Sequence, residues 1–201
     1  MRNHCSGILL AFTLLLAGCA ATPAGNGTII KALDETGGDA AFRNILVISV
    51  AGDFPDRVRF EQAFASRFAD ADTRATAYYT IVGRRALLNR EVLNNVIRVR
   101  EFDAVILTRQ KGQDRPELMP NRPTGHAFDL YRYDYAELNQ PTSIKTGSTV
   151  SFVVEAYDAS ASKKVWAIES LLFDTVSVAS VIDDQVEAII AELEKDELVE
   201  L

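Results

Sequence analysis

The sequence is poor in reactive residue types. Its 201 residues include two cysteines, two histidines and one tryptophan. Two cysteines exclude a disulfide-dense scaffold. Glycine (11) and proline (6) are too sparse for a collagen-like or low-complexity chain. No apolar run reaches the 18 or more residues of a membrane span. The longest such stretch, residues 8–17, excludes a polytopic membrane protein by its shortness. Positive charge is also short, with 21 Lys+Arg against 28 Asp+Glu and a formal net charge of −7. That balance offers no electrostatic case for nucleic acid and a mildly repulsive one for an anionic bilayer.

The N-terminus reads as an export segment. Arg2 supplies a positive start, residues 8–17 an apolar centre, and Leu16-Ala17-Gly18-Cys19 the end. This ending resembles the lipobox of bacterial lipoproteins. The resemblance implies a signal peptide over 1–18, cleavage before Cys19 and diacylglycerol on the Cys19 sulfur, commonly with a third acyl chain on the new amine. Two or three chains anchor firmly where one binds marginally. Ala20 follows the cysteine in place of an Asp, which by analogy with enteric sorting implies the outer membrane, on its periplasmic face. The ordinary secretory signal with a chance cysteine is the weaker reading. Once cleaved, the chain loses His4 and Cys5, keeps one histidine, His126, and becomes one charge more acidic.

Residues 19–41 contain Pro23, Asn26-Gly27 and Gly37-Gly38 without periodicity, and read as a lipidated flexible tether. A single α/β domain is expected over 42–195. Residues 45–50 form a continuous apolar strand, and Gly52-Asp53-Phe54-Pro55 breaks it. A helix over 55–70 presents Phe60, Ala63, Phe64 and Phe68 on one face, with Arg57, Arg59, Glu61 and Arg67 elsewhere. A second strand is expected over 74–82. Asn89 caps a helix of about 90–101, and a third strand covers 103–108. This is βαβαβ with right-handed parallel crossovers. Residues 110–127 form a long Pro/Gly-rich loop. Alternating segments follow at 128–136, 149–157 and 164–173, the last two flanking a hairpin connection at 158–162. Residues 178–195 form an amphipathic helix whose acidic end opposes the macrodipole and is expected to fray into an acidic tail over 196–201. The fold class is α/β (α+β): a mixed sheet of about six strands, antiparallel in its second half and closed by a C-terminal helix.

Catalytic constellations are hard to assemble. His126 sits alone in the loop, so a Ser-His-Asp or Cys-His site lacks its imidazole with a fixed partner. Asp70 and Asp72, or Asp183 and Asp184, lack the spacing of a calcium cage. Gly52 is a single glycine, short of a phosphate-binding motif. A carboxylate-based hydrolase stays open as an alternative, because an acidic chain offers many pairs. No cofactor and no metal are expected, and the protein reads as no enzyme. Two features stand out as partner-binding candidates. Tyr131, Tyr133 and Tyr135 recur at period two, against the simpler reading of rings packed under a helix. Arg109, Lys111, Arg115 and Arg122 make the loop locally basic on an acidic protein, against the simpler reading of an ordinary surface loop.

The element order resembles that of small envelope lipoproteins related to the N-terminal domain of the translocation protein TolB. The same core occurs in the outer-membrane activator of a peptidoglycan synthase, a penicillin-binding-protein activator, and in the curli secretion lipoprotein. The runs Arg59-Phe60-Glu61-Gln62-Ala63-Phe64, Ala75-Thr76-Ala77-Tyr78-Tyr79 and Phe102-Asp103-Ala104-Val105-Ile106-Leu107-Thr108-Arg109 look like those of uncharacterised bacterial envelope lipoproteins. So do Tyr157-Asp158 and Lys164-Val165-Trp166. The resemblance implies a fold and a location: a non-enzymatic accessory or assembly factor of the cell envelope, held to the membrane by lipid and meeting an envelope protein partner. A small-ligand or peptidoglycan-binding module is the second expectation.

Overall fold

The structure is a computed structural model that describes residues 28–34, 41–111, 135–140, 143–147, 149–161, 163–173 and 176–201. Six strands form one mixed sheet in the order β1-β6-β5-β4-β2-β3. Its parallel half is built from β2 (Asn44–Ser49), β3 (Arg74–Ala77) and β4 (Ala104–Gln110). β5 (Val150–Asp158), β6 (Lys163–Leu172) and β1 (Thr28–Asp34) continue it antiparallel. The expected fold class is therefore the observed one.

Alternation along the strands divides the interior into two layers. On one face, Val47, Ile106, Phe152, Val154 and Ile168 pack against α1 (Phe54–Ser66) and α5 (Val178–Lys195). On the other, Leu46, Ile48, Val105, Leu107 and Tyr157 pack against α3 (Arg90–Arg100). The crossover from β2 thus leaves on one face and the crossover from β3 on the other. The helices begin where the local chemistry dictates. The Asp53 carboxylate accepts the Asp56 N–H with Pro55 in the first turn, Asn89 accepts from Glu91 and Val92, and Ser177 forms a capping box with Ser180. Asp158 closes the β5–β6 connection by accepting the N–H groups of Ser160 and Ala161 at 2.7 and 2.8 Å.

Three expectations need correction. The span 19–41 is not a tether throughout: residues 28–34 are strand β1, paired residue by residue with β6 from Thr28↔Leu172. Its alternation, Ile30 inward with Ile29 and Leu33 outward, is too short to stand out from the Gly/Ala-rich sequence around it. The strand expected over 74–82 stops at Ala77 and turns directly into α2 (Tyr78–Val82). There the Thr80 hydroxyl donates to the Ala77 carbonyl and the Tyr79 N–H leaves the ladder for a side chain. The tail over 196–201 is built into the body. Leu198 and Val199 are buried, the Phe42 N–H donates to the Leu198 carbonyl, and Trp166 Nε1 donates to Asp196 at 2.7 Å. Here α5 ends in a left-handed residue, Glu197 at φ 57°, and the Leu198 N–H returns to the Leu193 carbonyl. α3 ends the same way, with Glu101 at φ 54° and Phe102 returning to Ile97. In both, an apolar residue just past the turn packs into the core, and that burial outweighs the repulsion of acidic groups by the helix end.

Candidate functional site

Two polar regions interrupt the apolar interior. The first lies at the carboxyl ends of β2 and β3. Glu61 on α1 is buried to 3% exposure there. One carboxylate oxygen accepts the Ser49 N–H at 3.0 Å and the other the Tyr79 N–H at 2.8 Å. Burial drives its pKa up to about 7, and the two N–H donors and Arg57 only partly offset this. Arg57, one turn earlier on the helix, is also buried. Its guanidinium donates to the carbonyls of Gly52, Leu138 and Gln140 at 3.2–3.3 Å. Between the last two, Asn139 exchanges a pair of hydrogen bonds with the backbone of Leu88. The cluster therefore ties α1 to two loop segments and to both strand ends.

A cavity opens beside this cluster, lined among others by Ser49, Arg57, Glu61 and Tyr78. Among the described residues the Ser49 hydroxyl and the Tyr78 hydroxyl find no hydrogen-bond partner, and both are buried. The cavity offers about 20 Å³ of room, which fits one water and no metabolite. Among the described residues Glu61 is the one carboxylate lining it, so they assemble no carboxylate pair of a glycoside hydrolase at this place. The arrangement works as a strut: it satisfies backbone donors that the sheet leaves without ladder partners.

The second region is the face of the antiparallel half that α3 does not cover. The register sets Arg109, Val153, Glu169 and Lys31 in one row across β4, β5, β6 and β1. Glu169 accepts from Lys111 Nζ at 3.1 and 3.2 Å and from the Ser151 hydroxyl at 2.8 Å. Burial pushes its pKa up, but Ser151, Lys111 and, more weakly, Lys31 outweigh it and the net shift is downward. Nearby, Lys164 lies 3.6 Å from Glu155, which also accepts from the Tyr157 hydroxyl. At the outer edge, Ile29 is 55% and Leu33 45% exposed.

The residues singled out by sequence separate in the structure. Arg109 and Lys111 lie at the end of β4 on this charged face, and Lys111 is held by Glu169. Tyr135 begins the helical turn α4 (Tyr135–Leu138), so no alternating strand runs through 128–136 to its end. Its ring packs against the α3-side core and carries the Arg90 guanidinium 5.5 Å from its centroid. Cys19, Arg115, Arg122, His126, Tyr131 and Tyr133 lie outside the described residues. Sequence reasoning set Arg57 and Glu61 apart from the apolar face of the helix without marking them as buried. Their i, i+4 spacing on the flank of the phenylalanine stripe was the available signal. Among the described residues, no three His, Cys, Asp or Glu side chains gather to hold a metal ion, and no helix is long and apolar enough to cross a membrane.

No protein-family model matches the sequence, and no curated protein does. Solved structures do. The chain is similar to PelC from Paraburkholderia phytofirmans, solved as a dodecamer. The match has 10% identity and a TM-score of 0.46, and covers 86% of this chain and 99% of that one. A point variant of the same dodecamer gives 11% identity and a TM-score of 0.45 over 82% and 98% of the two chains.

Proposed function

We propose that the protein is a lipid-anchored envelope protein that acts by binding a protein partner and catalyses no reaction. The observation that carries this reading is Leu16-Ala17-Gly18-Cys19 closing an apolar stretch of signal length. The resemblance to TolB-type envelope lipoproteins supports it, as does the cavity at the parallel strand ends, whose size suits a strut rather than a substrate pocket. Acyl chains at Cys19 place the body at the periplasmic face of the outer membrane. The partner meets it beside the end of β4, where Arg109 adds positive charge next to the Lys111–Glu169 pair, so the partner surface is acidic.

The test begins with metabolic labelling by palmitate and fractionation. The full chain takes up label and sediments with outer membrane, and Cys19→Ala abolishes both. An unlabelled, freely soluble chain overturns the reading. For the partner, a photocrosslinking amino acid at position 109, introduced in cells, gives one discrete adduct that disappears when Lys111 is changed to Glu. A smear unaffected by that change overturns the partner surface.

A further inference from the structure

The structure places an exposed apolar pair on strand β1. On β1, Ile30 packs inward against the α5-side core, Ile29 and Lys31 point to the other face, and Leu33 is exposed where the pairing with β6 shifts register. Ile29 and Leu33 are among the most exposed large apolar side chains described. Among the described residues β1 is also the sheet's end strand, with β6 as its neighbour. An edge strand with two aliphatic side chains in water is a liability that proteins ordinarily blunt or cover.

We propose that the β1 edge rests on the bilayer to which Cys19 is attached, with Ile29 and Leu33 at headgroup depth and Lys31 between them against lipid phosphates. This rests on the anchoring reading above and adds a fixed orientation to it. Eight residues separate Cys19 from Thr28. Fully extended, that connection spans roughly 30 Å, and as a coil roughly 15–20 Å, so β1 is leashed close to the membrane surface. Depth is set by the backbone. The unpaired N–H and C=O groups of an edge cannot enter hydrocarbon, but in the headgroup layer water and phosphate satisfy them. Lys31 suits that depth, its stem lying with the aliphatic pair and its ammonium reaching the phosphates. The adjoining carboxylate, Glu169, is already neutralised by Lys111 and so leaves Lys31 positive overall.

The test uses the lipidated full chain in vesicles of phosphatidylethanolamine and phosphatidylglycerol. An environment-sensitive fluorescent amino acid is placed at position 29, at 33, or at exposed Glu91 on α3. Emission at 29 and 33 shifts to the blue on transfer from detergent to vesicles and is quenched by headgroup-labelled lipid, and emission at 91 does neither. Lys31→Glu reduces the shift at 29 without altering the far-UV spectrum. Equal behaviour at all three positions overturns the proposal. So does a shift at 29 that grows with protein concentration in detergent and gains nothing from vesicles, which assigns the edge to a second copy. Mass spectrometry of the same sample keeps the two ideas apart. An unmodified Cys19 removes the anchoring reading, whereas a lipid-bearing chain with an unmoved β1 removes only the docking.

Discussion

Glu61 and Glu169 are the same residue type, both buried, and they titrate in opposite directions. Glu61 sits at the carboxyl ends of the parallel strands among backbone donors, and burial lifts it to about 7. Glu169 sits in the antiparallel half beside Lys111, and its pKa falls. Glu61 lies much deeper than Glu169, and two N–H dipoles do not make up for its lost hydration, whereas at Glu169 a full ammonium and a hydroxyl at 2.8–3.2 Å outweigh a smaller loss. The nearest cation to Glu61, Arg57, spends its donors on three carbonyls instead. One region is a neutral-leaning strut inside the fold. The other is an ion pair on one face of the antiparallel half.

The largest effect expected is at the strut. Glu61→Ala strips the acceptor from the Ser49 and Tyr79 N–H groups and from the flank of Arg57, and should cost about 3 kcal/mol in urea unfolding. A loss under 1 kcal/mol would mean that water replaces the carboxylate freely, and would break the contrast. Glu61→Gln sharpens it through pH. A raised folded-state pKa means that the folded protein holds a proton the unfolded one has released. The stabilisation is then complete below about 4.5 and is lost as pH rises through about 7. Glu61→Gln should flatten unfolding free energy across that window.

The opposite slope belongs to Glu169. Its lowered folded-state pKa gives stability that is present above the ordinary carboxylate value of 4.5 and is lost as pH falls through the folded value. Lys111→Met should cost about 1 kcal/mol at neutral pH and remove that acid-side slope, read by the same titration of unfolding midpoints. If the slope survives, Ser151 rather than Lys111 governs Glu169. The smallest effect lies outside both regions. Glu101→Gly and Glu197→Gly relieve left-handed backbone at two helix ends and should each stabilise by about 0.5–1 kcal/mol. Neither pH slope should move, which makes these variants the control for the comparison.

How much of this was legible varies with the source of order. Two strands of the parallel half, β2 and β4, could be read directly, because strands covered on both faces must be continuous apolar runs, as Ile45 to Ser49 and Ala104 to Thr108 nearly are. The helix over 178–195 was legible from its stripe alone. β1 was not, because its partner β6 lies more than 130 residues further on and its own alternation spans only seven residues. The buried state of Glu61 was not legible either. A glutamate on the flank of an amphipathic helix reads as solvated until the ends of β2 and β3 arrive with two unpaired N–H groups. Of the surface candidates, the sequence located Arg109 and Lys111. It could not show that Lys111 was committed to a carboxylate on β6.

By itself the sequence determined the α/β class, the Asn89 cap, the apolar runs of β2 and β4 and the stripe of α5. Each of these is set by periodicity or by neighbours within a few residues. Only the tertiary structure decided that residues 28–34 close the sheet, that the last six residues belong to the body, and which of two buried glutamates keeps its charge. Those outcomes depend on groups brought together from distant parts of the chain, and the free energy of a buried charge or an edge strand is fixed by what stands next to it in space.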